Sequence, residues 1–240
     1  MPVVWSFPTR VVFGAGSAAG VADEARRAGI SRPLVVTDRG IVAAGLLEPI
    51  ARSLRGAGLE HAVFDGVDGN PTEANIEAGA RAFAEHRADG VVSVGGGSPL
   101  DAAKLIALRY KVSLPFEELD DAIGGDRHIP PDVPASIAVP TTAGTGSEVG
   151  RSGVVTVRST GRKVVIFSPY LLARAAVLDP ELTRSMPPGV TAATGFDALT
   201  HCVEAYLSLG DHPMADSIAL GGIDLVAKHL ERTVANGTDL

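Results

Sequence analysis

Cysteine is almost missing from this 240-residue chain: Cys202 stands alone, which excludes an internal disulfide and points to a reducing compartment. Excess positive charge is missing too, with 21 Lys and Arg against 28 Asp and Glu and a formal net charge of -7. No nucleic-acid partner is expected, because such a partner needs a basic face. No apolar run reaches membrane-spanning length, and Met1 to Arg10 lacks a cationic segment followed by an apolar one, with Pro8 interrupting it. Neither a membrane partner nor a signal peptide is expected, and the expected location is cytoplasmic. Internal repeats and low-complexity tracts are likewise absent. What the chain does have is 45% hydrophobic residues, enough at this length for a substantial buried core.

The apolar residues fall into short runs separated by helical patterns. Leu34 to Thr37, His61 to Phe64, Gly90 to Val94 and Ala135 to Val139 read as buried strands, and Ala176 to Leu178 adds another. Between them, Leu46 to Ala57, Thr72 to Arg87 and Pro99 to Tyr110 carry apolar residues at helical spacing. Such alternation predicts a parallel sheet covered on both faces, since parallel strands need a crossover, usually helical. Leu114 to Pro134, with Pro115, Gly124-Gly125 and Pro130-Pro131, reads as a surface excursion. Val154 to Val157 and Lys163 to Phe167 suggest a β-hairpin turned by Arg158 to Arg162. Beyond Met186-Pro187-Pro188 the patterns Thr191 to Leu207 and Met214 to Thr233 are helical and no strand follows, which places a domain boundary near Pro187.

One turn carries the clearest chemistry. The strand at Val91 to Val94 runs into Gly95-Gly96-Gly97, then Ser98-Pro99-Leu100-Asp101 and a helix. Ser98 suits the N-cap, Pro99 the first helical position, and Asp101 the far side of a capping box. Those features alone describe a well-capped turn. Three consecutive glycines exceed what capping requires, because they let the backbone approach an anion at a helix end that carries free N–H groups and partial positive charge. The pattern is not G-x-G-x-x-G, since no glycine lies between Gly97 and Gly124.

A second polar segment, Pro140-Thr141-Thr142-Ala143-Gly144-Thr145-Gly146-Ser147-Glu148, also follows a strand. It reads either as a polar turn or as a set of hydroxyl donors for a ribose or diphosphate. Two such loops after strands of one parallel sheet share the carboxyl edge, where open α/β sheets bind ligands. Asp38, at the end of the first strand, is a turn residue beside Gly40 or an acceptor for the adenosine ribose; in the second role it favours NAD over NADP. Further on, Asp197 and His201 stand four residues apart on one helical face, as an ordinary surface pair or as half of a divalent-cation site. Around them Ala198, Leu199, Cys202, Val203 and Ala205 make the helix apolar on several sides and imply burial.

Together these residues resemble the iron-containing alcohol dehydrogenases. The resemblance rests on Gly95 to Lys104, Pro140 to Glu148, Asp68-Gly69-Asn70-Pro71-Thr72, Leu178-Asp179-Pro180-Glu181-Leu182 and Ala192 to His201, and runs from about Phe13 to the last residue. It implies a dehydroquinate synthase-like, parallel-sheet dinucleotide-binding domain over residues 1–186, then the beginning of an all-helical metal-binding domain over 187–240. It further implies that Gly96, Gly97, Ser98 and Asp101 form the phosphate site and that Asp38 lies near the ribose. Asn70, Thr141, Thr142, Thr145, Ser147, Val154 and Lys163 fall on further cofactor-contacting positions. Lys163 is one of only four lysines, against seventeen arginines.

By the same resemblance Asp197 and His201 are two of four ligands to Fe²⁺, with Zn²⁺ as the alternative, and act catalytically through the metal. The other two ligands are histidines on later helices, which this chain does not reach, so it is expected to be an N-terminal portion. A helical domain cut short there exposes apolar surface on Ala198 to Leu207 and favours association, for instance as a homodimer. The implied activity is hydride transfer between a small alcohol and NAD, giving an aldehyde or ketone. The competing readings are a non-catalytic dinucleotide-binding module and another member of the same wider fold with different metal ligands.

Overall fold

The computed structural model describes residues 9–240. By compactness these divide into one unit of Thr9–Thr141 with Ser147–Asp179, and another of Thr142–Gly146 with Pro180–Leu240.

The first unit is built on a six-stranded sheet, wholly parallel, in the spatial order β1-β8-β5-β4-β2-β3. Its strands are β1 (Arg10–Phe13), β2 (Pro33–Val36), β3 (Ala62–Phe64), β4 (Gly90–Gly95), β5 (Ala135–Pro140) and β8 (Ala175–Leu178). Every residue of β2 and β4 is buried, as expected of Val-rich parallel strands covered on both faces. Helices α1 (Val21–Arg27), α2 (Arg39–Ala43), α3 (Glu48–Gly56), α4 (Glu73–His86) and α5 (Gly97–Lys111) form the crossovers. A separate antiparallel hairpin, β6 (Ser152–Thr156) and β7 (Lys163–Phe167), pairs Val154 with Val165 and Thr156 with Lys163.

Helix α5 lies deepest, with Leu100 and everything from Ala102 to Leu108 buried. Its apolar side chains share one core with Ile76 and Phe83 of α4, Leu34 and Val91 of the sheet, and Val155, Val164 and Ile166 of the hairpin. At the sheet's edge the carboxylate of Asp179 accepts the N–H groups of Gly16 and Ala18, both at 3.0 Å, and so fastens the turn after β1.

Three sequence expectations need correction. Strand β1 and helices α1 and α2 were not anticipated, being short and only weakly periodic. The excursion over Leu114 to Pro134 holds three short 3₁₀ turns, at Phe116–Leu119, Asp121–Ile123 and Gly125–His128, and does not lie wholly at the surface, since Phe116, Leu119, Ile129 and Val133 are buried. Helix α5 begins two residues earlier than the capping residues suggest, with Gly96 at the N-cap and no side-chain cap. The glycines accommodate that early start: Gly95 sits at φ +147°, and a Cβ there would lie 2.6 Å from the ring of Pro99.

The second unit is helical. It contains α6 (Pro188–Tyr206) and α7 (Pro213–Ala235), which pack together with Leu230 against Gly195 and Cys202 against Gly222. The burial implied around Asp197 is not found, since α6 contains no buried residue. Ala198, Leu199 and Cys202 are half-buried, while Phe196 at 62% and Leu207, just past the helix, at 70% are exposed. Among the described residues, no helix is long and apolar enough to cross a membrane.

Candidate functional site

The sheet's connections turn round at one place. The chain passes from β2 outward to β3, then crosses back to lay β4 on the other side of β2 and continues through β5 to β8. A ligand crevice opens at such a switch point, outside the carboxyl ends of the strands. Here those ends are Thr37-Asp38 after β2 and Gly95 to Ser98 after β4, tied together by the Thr37 hydroxyl donating to the Val94 carbonyl at 2.8 Å.

Beyond β4 the backbone turns through Gly95 and Gly96 into the first turn of α5. A helix N-terminus leaves several N–H groups without intrahelical partners. In α5 the N-cap is Gly96, which has no side chain to cap them, and Pro99 carries no N–H at all. Ser98, expected to cap, lies inside the first turn, and its hydroxyl donates to the Gly69 carbonyl at 2.8 Å. That bond fastens the segment bearing exposed Asn70 beside the turn. The result is an uncapped, glycine-lined helix end at the middle of the sheet, an arrangement that favours a phosphate.

Asp101, also expected to cap, points elsewhere. One carboxylate oxygen accepts from the Ser147 hydroxyl, and the other accepts the Val154 N–H at 3.2 Å. Lys104, one turn on, is 4% exposed and donates to the Ser147 Oγ at 3.0 Å and to the Ser152 carbonyl at 2.7 Å. Its ammonium lies 3.6 Å from Asp101. Burial pulls the Lys104 pKa down, opposed by the charges of Asp101 and Glu148. Burial likewise pushes the Glu148 carboxyl up, opposed by its own backbone hydrogen bond and by Lys104.

The remaining positions of this unit gather round the same edge. Thr141 is buried and its N–H donates to the Gly95 carbonyl at 2.9 Å, so the second polar segment starts directly beside the glycine turn. The Thr156 N–H donates to the Pro71 carbonyl at 2.7 Å. Because Thr156 pairs with Lys163, exposed Lys163 is carried toward the Asn70 segment. Asp38 caps α2, accepting the Ile41 N–H at 2.9 Å.

In the helical unit Asp197 and His201 sit one turn apart on α6, with 4.0 Å between a carboxylate oxygen and Nδ1. His201 Nδ1 also contacts the Gly144 carbonyl at 3.1 Å. A carbonyl only accepts, so Nδ1 carries a proton in this contact, and in the neutral imidazole the lone pair then lies on Nε2. Metal-ligating histidines are held in this manner by a backbone acceptor on the other nitrogen. Gly144 stands so close to α6 that a Cβ on it would lie 2.3 Å from the Thr194 carbonyl oxygen. Thr142 and Thr145 flank this contact and are half-buried. No group of three or more potential metal ligands occurs among the described residues.

The profile of the iron-containing alcohol dehydrogenases matches residues 8–180. The chain belongs to that family. A second profile, for the C-terminal part of Fe-containing alcohol dehydrogenases, matches residues 191–240. The chain is 42% identical over 231 residues to the 4-hydroxybutyrate dehydrogenase of Cupriavidus necator, a match that covers 96% of this chain and 60% of that protein. Among solved structures, a 1,3-propanediol oxidoreductase superposes with a TM-score of 0.91 at 38% identity, covering 97% of this chain and 60% of that one. A sulfoacetaldehyde reductase from Bifidobacterium kashiwanohense, solved in complex with NAD⁺, gives 0.90 at 32% identity, with 99% and 62% covered. This member of the iron-containing alcohol dehydrogenase family thus spans about 60% of the length of these relatives.

Sequence reasoning singled out Asp101 and Ser147 but assigned nothing to Lys104, Glu148 or the Gly144 carbonyl. A signal for Lys104 was available: it is the one charge in the apolar run Ala102 to Leu108, three residues after Asp101, and a buried ammonium requires partners. Nothing in the sequence marks a backbone carbonyl as a histidine's acceptor.

Proposed function

We propose that this chain is the cofactor-binding portion of a metal-dependent dehydrogenase that moves hydride between a small alcohol and NAD, with an aldehyde or ketone as the oxidised partner. The observation that carries this reading is the uncapped N-terminus of α5 behind Gly95 and Gly96, at the switch point of the parallel sheet. There the diphosphate is received by the backbone of Gly96, Gly97 and Ser98, with Asn70, Thr141, Ser147, Val154 and Lys163 of the same unit as further cofactor contacts; Thr142 and Thr145, which belong to the helical unit, are proposed as contacts from their sequence positions alone. Among the described residues the dinucleotide-binding domain corresponds to Thr9–Thr141 with Ser147–Asp179, and helices α6 and α7 belong to the metal-binding one.

Asp38 selects the nucleotide. Its carboxylate sits at the end of β2, where it accepts from a ribose and repels a 2′-phosphate, so NAD is preferred to NADP. The NAD⁺ complex of the related sulfoacetaldehyde reductase supports the same choice.

The donor set of α6, a carboxylate and an imidazole one turn apart, suits a divalent cation, Fe²⁺ or alternatively Zn²⁺; His201 directs Nδ1 at the Gly144 carbonyl, with an Asp197 oxygen 4.0 Å from that nitrogen, which leaves Nε2 as its ligating atom. When bound, such a cation polarises the alcohol oxygen while the nicotinamide takes up or returns hydride. Within this chain Asp197 and His201 would hold the metal, and the Gly144 carbonyl would orient the imidazole through Nδ1. The lone half-buried Cys202 suits a cytoplasmic setting, and exposed Phe196 and Leu207 favour association, a homodimer being the simplest form.

Calorimetric titration of the chain with NAD and with NADP tests the proposal. NAD is expected to bind, NADP at least roughly tenfold more weakly, about 1.4 kcal/mol. In Gly97→Leu the side chain obstructs the diphosphate and NAD binding is lost. Undiminished NAD affinity in that variant, or no NAD binding by the unaltered chain, contradicts the reading.

A further inference from the structure

The buried stretch of α5 from Leu100 to Leu108 contains two charged residues, Asp101 and Lys104, and both are used within the protein. Lys104 donates to the Ser147 hydroxyl and to the Ser152 carbonyl, while Asp101 accepts from the Ser147 hydroxyl and from the Val154 N–H. Three residues of one incoming segment, Ser147, Ser152 and Val154, are therefore bonded to two residues on successive turns of one helix. That helix is the one whose first turn forms the glycine-lined phosphate site. The same segment is anchored further back where the Thr141 N–H meets the Gly95 carbonyl.

A methionine would fill the space of the Lys104 stem without the desolvation cost of an ammonium, and replacing buried ion pairs by apolar groups often leaves stability unchanged or higher. Core packing alone therefore gives no reason for the charge. What the ammonium supplies is direction: donors of fixed reach that set the height and register of Ser147 and Ser152 above α5. Burial lowers the Lys104 pKa, and the carboxylates of Asp101 and Glu148 act against that shift and favour the charged form.

We infer that Asp101 and Lys104 are positioning residues, which act through Ser147, Ser152 and Val154 to hold the second cofactor segment in register with the turn Gly95 to Ser98. This rests on the reading of that turn as the dinucleotide site. The nucleotide then meets two preformed walls rather than ordering one of them on arrival, and affinity gains the entropy not lost. Lys104 touches no ligand itself, because its ammonium is enclosed by its partners.

The test compares the full 240-residue chain with Lys104→Met and with the milder Lys104→Gln, which keeps N–H donors but drops the charge. NADH is titrated against each and followed by nicotinamide fluorescence, with backbone hydrogen exchange read by mass spectrometry. Lys104→Met should bind NADH at least about tenfold more weakly, because the cost of ordering the segment then falls on binding. Lys104→Gln should fall between it and the unaltered chain. In Lys104→Met the amides of residues 147–154 should exchange faster while those of β4 and β5 stay as they were. A folded variant that binds NADH within about twofold of the unaltered chain overturns the inference, and so does exchange accelerated evenly over the sheet. If Lys104→Met does not fold, Lys104→Gln decides by the same criteria. Absence of NADH binding by the unaltered chain is a different result: it refutes the dinucleotide site and takes this inference with it.

Discussion

His201 and Gly144 are joined by a 3.1 Å hydrogen bond from the imidazole Nδ1 to the carbonyl oxygen, which places the ring proton on Nδ1. The neutral imidazole of His201 should therefore be the Nδ1–H tautomer. Nitrogen-15 chemical shifts of the ring, recorded in mildly alkaline buffer, read this directly. Gly144→Val, whose Cβ meets the Thr194 carbonyl, should displace the acceptor and abolish the preference. A dominant Nε2–H form in the unaltered chain would refute the arrangement and with it the fitness of Nε2 for a metal.

Asp38 has a second task besides its proposed one, since it caps α2 through Ile41. Asp38→Ala should cost about 0.5–2 kcal/mol of stability from the lost cap. The same change should narrow the gap between NAD and NADP affinity. Denaturant melts measure the first effect and paired titrations the second; an unchanged nucleotide preference would assign Asp38 to the cap alone.

Glu148 makes stability depend on pH. Burial raises its folded-state pKa above the reference value of 4.5, so between that value and the folded pKa the native state binds more protons than the unfolded one. The contribution of this group is fully present below 4.5 and is lost as pH rises through the folded pKa. Glu148→Gln removes the ionisation, so its stability relative to the unaltered chain should rise from acid to neutral pH. Denaturant midpoints of both proteins across that interval check the sign, and parallel curves would contradict it.

Asp179 fastens the turn after β1, holding the N–H groups of Gly16 and Ala18. Asp179→Ala leaves these donors without that acceptor and should lower stability by about 1–3 kcal/mol. Asp179→Asn, which keeps a side-chain oxygen, should lose less. Equal midpoints for the two variants would show that the acceptor is not what matters there.

The sheet was legible because its central strands are buried on both faces and so carry valine-rich apolar runs, interrupted only by Ser93, within Leu34 to Thr37 and Gly90 to Val94. The hairpin was legible from Val164 and Ile166, which alternate with exposed Val165 and Phe167. Strand β1 was not, because its residues are exposed or half-buried at the sheet's edge and carry no such signal. At the glycine turn the side chains of Ser98 and Asp101 matched a capping box, yet the backbone freedom of Gly95 and Gly96 let the helix begin before them. That released both side chains for tertiary bonds that local sequence cannot express, to Gly69 and to Ser147 and Val154. Asp197 and His201 were placed correctly on one helical face by spacing alone, whereas the exposure of α6 depends on what packs against it and not on its own composition.

The most direct measurement is a crystal structure of this chain grown with NAD. The account predicts diphosphate oxygens within hydrogen-bonding distance of the Gly97 and Ser98 N–H groups, with the adenosine ribose beside Asp38. A diphosphate bound anywhere other than the first turn of α5 would contradict it.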